Sequence, residues 1–385
     1  MELAREFHAA IKQLRKWGKK VTLIHHDDAD GISSASIIYE SLGREGFKVK
    51  TFCLEKLFPE VVETLHSKKG NIYFYVDIGS AHGDIISRFN KGKNLTIILD
   101  HHVATKSEDT LVFNLNPELF GISGEKECSG GSVCYLFSKE LNKANVDLSY
   151  LALVASQEIP GELKGVNKEI ANESVKNGLV EIKGKGYYIK KFGMNVGDVF
   201  SKLQILGPVG YYRGGPELGI KACLQGFNEE INERIKKLEL VRKNTNKKLL
   251  ARIYREKLKL TENLQWFHAS DIFEGMGTKV LGTFCSFLSF QRIVDQKKYL
   301  VGFMDMNSFI PGFGNLKREL VKVSARAPKL LQRSIAAKKS LPLSYLLPEA
   351  CKIVGGFGDG HAVAASGIIP KGKEEEFTEA MQGLI

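Results

Sequence analysis

Three short apolar runs in the first hundred residues end in side chains that a buried strand does not normally deliver. They are VTLIHHDDADG at 21–31, NIYFYVDIG at 71–79 and NLTIILDHH at 94–102. Runs this apolar, with a helical stretch such as ISSASIIYESLGREG (32–46) after the first, specify α/β structure. The sheet should be parallel and covered on both faces, because crossover helices shield each side of every strand. KVKTFCL (48–54) reads as a further strand. In such sheets ligands bind beyond the carboxyl ends of the strands. Asp28 and Asp30, then Asp77, then Asp100, His101 and His102 therefore converge on one edge.

Carboxylates mixed with imidazoles suit Mn²⁺ or a similar octahedral dication better than structural zinc, which favours Cys and His. Two such ions need a bridging carboxylate and terminal ligands for each. His26 and Asp28 supply one set, Asp30 and His101 the other, and Asp77 the bridge. Paired dications clamp a phosphoryl oxygen and activate a water, which is hydrolytic phosphodiester chemistry without a covalent intermediate. The competing reading of any one strand-end Asp is a helix N-cap, and Asp30 before GISS fits that role too. Convergence of three strand ends is what separates the two readings. His25 is read as merely abutting the cluster.

A chain of 385 residues exceeds one ordinary core, so two domains with connecting structure are expected. The boundaries are read as 1–190, a helical connector at 191–265, and a smaller C-terminal α/β domain at 266–385. The connector includes a charged helical stretch at 228–259, and the tail turns to strands and Gly-rich turns, with KVLGTFCSFL among the strand or strand–helix pieces. Six scattered cysteines without CxxC spacing suit a reducing cytoplasm, and no apolar run is long enough to span a membrane. The formal charge of +11 favours an anionic partner such as nucleic acid.

HHDDADG at 25–31, VDIG at 76–79 and LDHH at 99–102 together resemble the DHH phosphoesterases. GGFGDGHAVAASG at 355–367 resembles the glycine-rich signature of the DHH-associated (DHHA1) domain. FNLNPELFGISGEKECSGGSVCYLF at 113–137 is similar to the archaeal RecJ-like branch. The resemblance implies an active site in the cleft between a DHH domain and a DHHA1 domain. It makes His101 a metal ligand, His102 a contact to the scissile phosphate, and Asp100 the partner that orients an imidazole. A fourth motif normally ends in Asp; here Glu158 stands at that place, a longer arm with the same carboxylate.

Five glycines around His361, among them Gly355, Gly356 and Gly360, let backbone N–H groups approach an anion as in a phosphate nest. The competing reading is a Gly-rich hairpin. The resemblance adds Ser324 and Arg326 as substrate contacts, with Ser286 a weaker candidate. The expected activity is a two-metal, Mn²⁺-dependent exonuclease on single-stranded DNA or RNA, with 3′→5′ polarity and Mg²⁺ or Co²⁺ as alternative ions. The expected partners are single-stranded nucleic acid, further copies of the chain in a dimer or trimer, and a repair or replication helicase, as in Hef-associated nucleases. The alternatives are a phosphodiesterase for short oligonucleotides or cyclic dinucleotides and an inactive replication scaffold.

Overall fold

The computed structural model describes residues 2–184 and 186–385, which divide into two compact units with the boundary between residues 236 and 237. In the first unit, helix α1 (Glu2–Leu14) leads into β1 (Lys20–His26), α2 (Ala29–Arg44), β2 (Lys48–Leu54), α3 (Pro59–His66) and β3 (Ile72–Val76). Then come α4 (Gly83–Asn90), β4 (Leu95–Leu99) and the short β5 (Val112–Asn114). These strands form one parallel sheet in the order β2-β1-β3-β4-β5. β3 and β4 are fully buried, as their unbroken apolar sequence requires.

The chain steps from β1 outward to β2, then crosses back over to β3. Right-handed crossovers therefore put α2 on one face and α3 and α4 on the other. The reversal makes the carboxyl ends of β1 and β3 the switch point of the sheet, the position at which such folds hold ligands.

Helices α5 (Gly130–Leu141), α6 (Ser149–Ala155) and α7 (Gly165–Lys176) follow, then a small antiparallel sheet of β6 (Val180–Lys183), β7 (Gly186–Ile189) and β8 (Met194–Asn195). Helices α8 (Val196–Gln204) and α9 (Gly215–Gln225) complete the fold around α2, which packs against α5, α6 and α9. Residues 191–236, read from sequence as connector, thus belong to the first unit, because α8 and α9 bury apolar residues such as Val199, Leu203 and Ile220.

A single helix, α10 (Glu229–Glu256), runs across the boundary. The second unit carries β9 (Lys259–Leu260), β10 (Leu264–His268), α11 (Lys279–Leu288), β11 (Tyr299–Asp305), the small pair β12 (Phe309–Ile310) and β13 (Gly314–Asn315), and β14 (Leu320–Arg326). Helices α12 (Lys329–Ala336) and α13 (Leu343–Ile353), strands β15 (Phe357–His361) and β16 (Ala364–Pro370), and α14 (Glu374–Gly383) follow. The mixed sheet runs β15-β16-β14-β11-β10-β9. Trp266, Phe303 and Phe377 meet edge to face at its centre. KVLGTFCSFL is helical as α11, not a strand: Val280, Leu281, Phe284, Cys285 and Leu288 lie on one buried face at helical spacing. All six cysteines are free and buried, and no helix among the described residues is long and apolar enough to cross a membrane.

Candidate metal centre

The side chains at the three strand ends meet. His26, Asp28 and Asp77 form one group whose ligand atoms lie within 4.8 Å of one another; Asp77, His101 and His102 form a second. Asp77 is common to both. It follows β3 with φ of 56°, a left-handed conformation that Asp and Asn tolerate better than other side chains, and its N–H bonds the Leu99 carbonyl at 2.9 Å. That twist, immediately after β3, aims the carboxylate at its neighbours from β1 and β4.

Each neighbour is held by a specific contact. Asp28 caps α2, with Oδ1 accepting from the Gly31 N–H at 2.9 Å and Oδ2 lying 2.9 Å from His26 Nδ1. The N-cap is thus Asp28, not Asp30. Asp30 sits inside α2, where Oδ2 accepts from the Gly130 N–H at 3.0 Å and Oδ1 from the Gly131 N–H at 2.7 Å and from Ser34 Oγ at 3.1 Å. The positive end of α5 thereby receives a buried carboxylate. His101 donates from Nδ1 to the Gly124 carbonyl at 2.8 Å, leaving Nε2 facing Asp77 Oδ1 at 3.4 Å and Asp30 Oδ2 at 3.7 Å. A backbone carbonyl that fixes the tautomer in this way is a recurring support for a metal-ligating histidine.

Asp100 faces inward as a scaffold. Its Oδ2 accepts from the Ser80 N–H at 2.8 Å, and its Oδ1 accepts from the His101 N–H at 2.8 Å and lies 2.7 Å from His102 Nδ1. The His102 side chain is 48% exposed, so its ring is oriented by Asp100 yet open to solvent. Glu158 lies in a short 3₁₀ turn, outside both groups, and its Oε2 accepts from Gln204 Nε2 at 3.1 Å. His25 is buried structure: it contacts the His26 carbonyl through Nδ1 at 2.7 Å, and burial pushes it down to about 4.

The electrostatics call for cations. Burial, followed by the nearby Asp30 and Asp28 charges, pushes Asp77 well above the usual carboxylate range. Burial likewise lifts Asp30 to about 6. Burial alone would lower His101, but the surrounding carboxylates, led by Asp77, override it and raise the ring to about 10. Burial would also raise Asp100, yet His102, His101 and the Ser80 N–H overcome it and hold that carboxyl well below its ordinary value. Both Asp77 oxygens and His101 Nε2 are shut off from solvent without a hydrogen-bond partner. Buried polar atoms so placed are costly unless something else satisfies them. The donors are oxygen and imidazole nitrogen, as Mn²⁺ and Mg²⁺ prefer, so the residues fit a divalent pair.

Several supporting residues escape a reading by ligand type. A Cβ on Gly130 would lie 2.5 Å from Asp77 Oδ1, one on Gly131 would lie 2.3 Å from Ala155 Cβ, and one on Gly124 would lie 1.9 Å from the His101 carbonyl oxygen. The signal was the Gly pair opening α5 in SGGSV, legible as a close approach though not as to what. Asp27 is fully buried with Oδ1 3.5 Å from His26 Nε2, and Asn116 Nδ2 donates to the His102 carbonyl at 2.6 Å.

In the second unit, Ser324 is buried on β14 and its Oγ accepts from Arg326 Nη1 at 3.1 Å. Arg326 also donates to Ser286 Oγ at 2.8 Å and to the Gly282 carbonyl at 3.1 Å, so Ser286 serves Arg326. The segment holding Gly355, Gly356, Gly360 and His361 is not a compact phosphate nest. From Phe357 it forms the hairpin β15–β16, whose edge strand β15 pairs in register from Phe357↔Ile368 to His361↔Ala364. Gly356 and Gly360 answer to packing: a Cβ on Gly356 would fall 2.2 Å from the Ile368 carbonyl oxygen, and one on Gly360 2.4 Å from Ala365 Cα, whereas Gly355 meets nothing within 4 Å and has φ of 79°. His361 is exposed at the strand's end. Tyr211 and Trp266 are buried, and the Tyr212 hydroxyl donates to Glu55 Oε2 at 3.3 Å.

The cluster of buried acids and histidines at the switch point of a parallel sheet has counterparts among known proteins. Residues 20–156 match the DHH family, N-terminal domain. The chain is 25% identical over 446 residues to an uncharacterized protein of Methanocaldococcus jannaschii, covering 95% of this chain and 93% of that one. Among solved structures, RecJ from Thermus thermophilus in complex with Mn²⁺ is similar over 100% of this chain, with a TM-score of 0.67 and 16% identity. The chain spans 54% of the length of that RecJ. A structure of exonuclease RecJ bound to manganese gives a TM-score of 0.63 at 16% identity, with 93% of it covered. Residues 20–156 thus resemble the DHH family's N-terminal domain, and the α/β fold is like that of RecJ.

Proposed function

We propose that the protein is a divalent-metal-dependent phosphodiesterase that removes nucleotides from an end of single-stranded DNA or RNA. The observation that carries this reading is the set of buried, unsatisfied atoms on Asp77 and His101, flanked by His26, Asp28 and Asp30. Asp77 is shared by the two ligand groups, which suits a bridge; His26 and Asp28 would hold one ion, and His101, with Asp30 Oδ2 3.7 Å from its Nε2, would hold the other. Two dications bound there would polarise a phosphoryl oxygen and lower the pKa of an attacking water. The chain's own groups position the reactants. Asp100 locks the His102 ring so that its outer nitrogen meets a phosphate oxygen, and the Gly130 and Gly131 N–H groups hold the Asp30 carboxylate in place. In the second unit His361 is the substrate contact, whereas Arg326 holds α11 to β14. The net charge of +11 supports a polyanionic substrate, and the likeness to a manganese-bound exonuclease supports that ion and cleavage from an end.

The test is digestion of end-labelled DNA and RNA single strands with Mn²⁺, each end blocked in turn. The wild type should shorten strands from one end, with 3′→5′ polarity expected. Asp77→Asn, which suits the same left-handed backbone, should lower the rate at least 10³-fold while keeping the melting temperature. Retained activity in Asp77→Asn would overturn the assignment.

A further inference from the structure

The metal-type cluster occupies the carboxyl edge of the parallel sheet; the amino edge has its own chemistry. Lys20 and Lys48 stand opposite one another in the first register pair of β1 and β2, with the Lys48 N–H bonded to the Lys19 carbonyl at 2.7 Å. The turn entering β3 carries Lys68 and Lys69, and the turn entering β4 carries Lys91 and Lys93. Those two turns are tied side by side. The Gly70 N–H donates to the Lys93 carbonyl at 2.9 Å, and Asn94 bonds the Lys68 carbonyl at 2.8 Å and the Asn71 N–H at 3.0 Å.

Lys20, Lys48, Lys68, Lys69 and Lys91 are exposed, and none forms an ion pair among the described residues. Beside them lies a hollow of about 480 Å³, lined by Arg88, Lys91 and Lys93 around Phe89, with Glu63 as the acid among its walls. The Arg88 guanidinium stands 5.2 Å over the half-exposed Phe89 ring.

Like charges on adjacent strands repel, and here buried asparagines hold the turns that carry them together. Strands lie ~4.8 Å apart, so the row from β2 to β4 extends ~14 Å, long enough to meet successive phosphates of one strand. Lysine is depleted at protein–protein interfaces, which need a desolvated apolar centre. A phosphate backbone instead takes rows of lysine as point charges, and a ring with an adjacent cation suits a base. We propose that this amino edge is a second nucleic-acid surface. It binds the substrate's backbone at a point ~20 Å along the strands from the metal edge, as strands of five to seven residues set the distance. The proposal rests on the nuclease reading for its substrate, and it enlarges that reading to a strand held far from the end being cut.

The test uses the full chain with Lys68→Glu, Lys69→Glu and Lys91→Glu combined, and the corresponding Ala triple as a milder variant. Affinity for labelled 8-mer and 40-mer single strands is measured by fluorescence anisotropy across a salt series, alongside Mn²⁺-dependent hydrolysis of bis(p-nitrophenyl) phosphate. The Glu triple should bind the 40-mer at least 10-fold more weakly, with a salt slope about two units shallower. Its hydrolysis of the small diester should match wild type. Unchanged 40-mer affinity and slope overturn the proposal, as does unchanged 40-mer affinity joined to lost retention on a polyglutamate matrix, which would make the surface one for acidic protein. Loss of 40-mer binding in the triple, with a wild type that cleaves neither strand nor diester, would uphold the surface and defeat the nuclease reading.

Discussion

Gly130→Ala separates metal ligation from folding. Gly130 is the first residue of α5, and its φ is not positive, so its backbone accepts alanine. Helix propensity alone would favour the change by up to ~1 kcal/mol. The new methyl would meet Asp77 Oδ1 at 2.5 Å and Asp77 Cβ and Cγ at 2.9 Å, whereas real Cβ contacts essentially never fall below 3.0 Å. Asp77 must therefore retreat by at least 0.5 Å, the difference between 3.0 and 2.5 Å. Overpacking of this kind costs about 1–3 kcal/mol, which the propensity gain partly offsets, leaving a net loss of about 0–2 kcal/mol. On the proposed reading ligation is less forgiving, because a shared carboxylate displaced by half an ångström would miss both ions. Mn²⁺ affinity should fall at least 10-fold, the scale seen when support for a ligand is lost. Isothermal titration of chelator-stripped protein with Mn²⁺ reads this directly, with Gly197→Ala, where a Cβ meets nothing within 4 Å, as control. A Gly130→Ala protein that binds Mn²⁺ within twofold of wild type would refute the reasoning.

His66 predicts an acid-side instability. Its Nδ1 lies 2.9 Å from Asn90 Oδ1 and its Nε2 3.0 Å from the Tyr75 hydroxyl, and burial pushes the ring down to about 4. A folded value below the unfolded one means the stabilisation is full above pH ~6.5 and is lost as pH falls toward 4, a swing on the order of 3 kcal/mol. In urea titrations the wild type's margin over His66→Gln should shrink across that window; a pH-independent margin would contradict it. Arg326→Ala should lower the stability of the second unit by about 1–3 kcal/mol, since it removes the charged donor to Ser286 Oγ, Ser324 Oγ and the Gly282 carbonyl. An unchanged unfolding midpoint would show that Arg326 is not a structural tie.

The first sheet was legible because its strands are apolar without interruption and end in polar residues, so strand, edge and ligand type coincide in one string. β5 was not: VFN is three residues long and owes its pairing to β4. The acids and histidines at the strand ends were legible as ligand types, although the second group takes in His102 where Asp30 was expected. Their supports were not legible, since Gly130, Gly131 and Gly124 act through what they lack. KVLGTFCSFL misleads because a buried helix of apolar residues looks like a strand until its spacing is weighed against its neighbours. The glycine-rich tail misleads in the opposite sense, as glycines demanded by close strand packing resemble glycines that expose N–H groups.

The grip of α5 on Asp30 joins residues 100 and 101 positions apart. On a growing polypeptide the acids at 28, 30 and 77 are synthesised well before Gly130 and Gly131 exist to receive one of them. The nascent sheet must therefore wait with its acidic rim open to water, and it can close only after the ribosome has delivered α5. Truncations released before residue 131 should stay loose and readily cleaved by proteases, whereas slightly longer ones begin to resist.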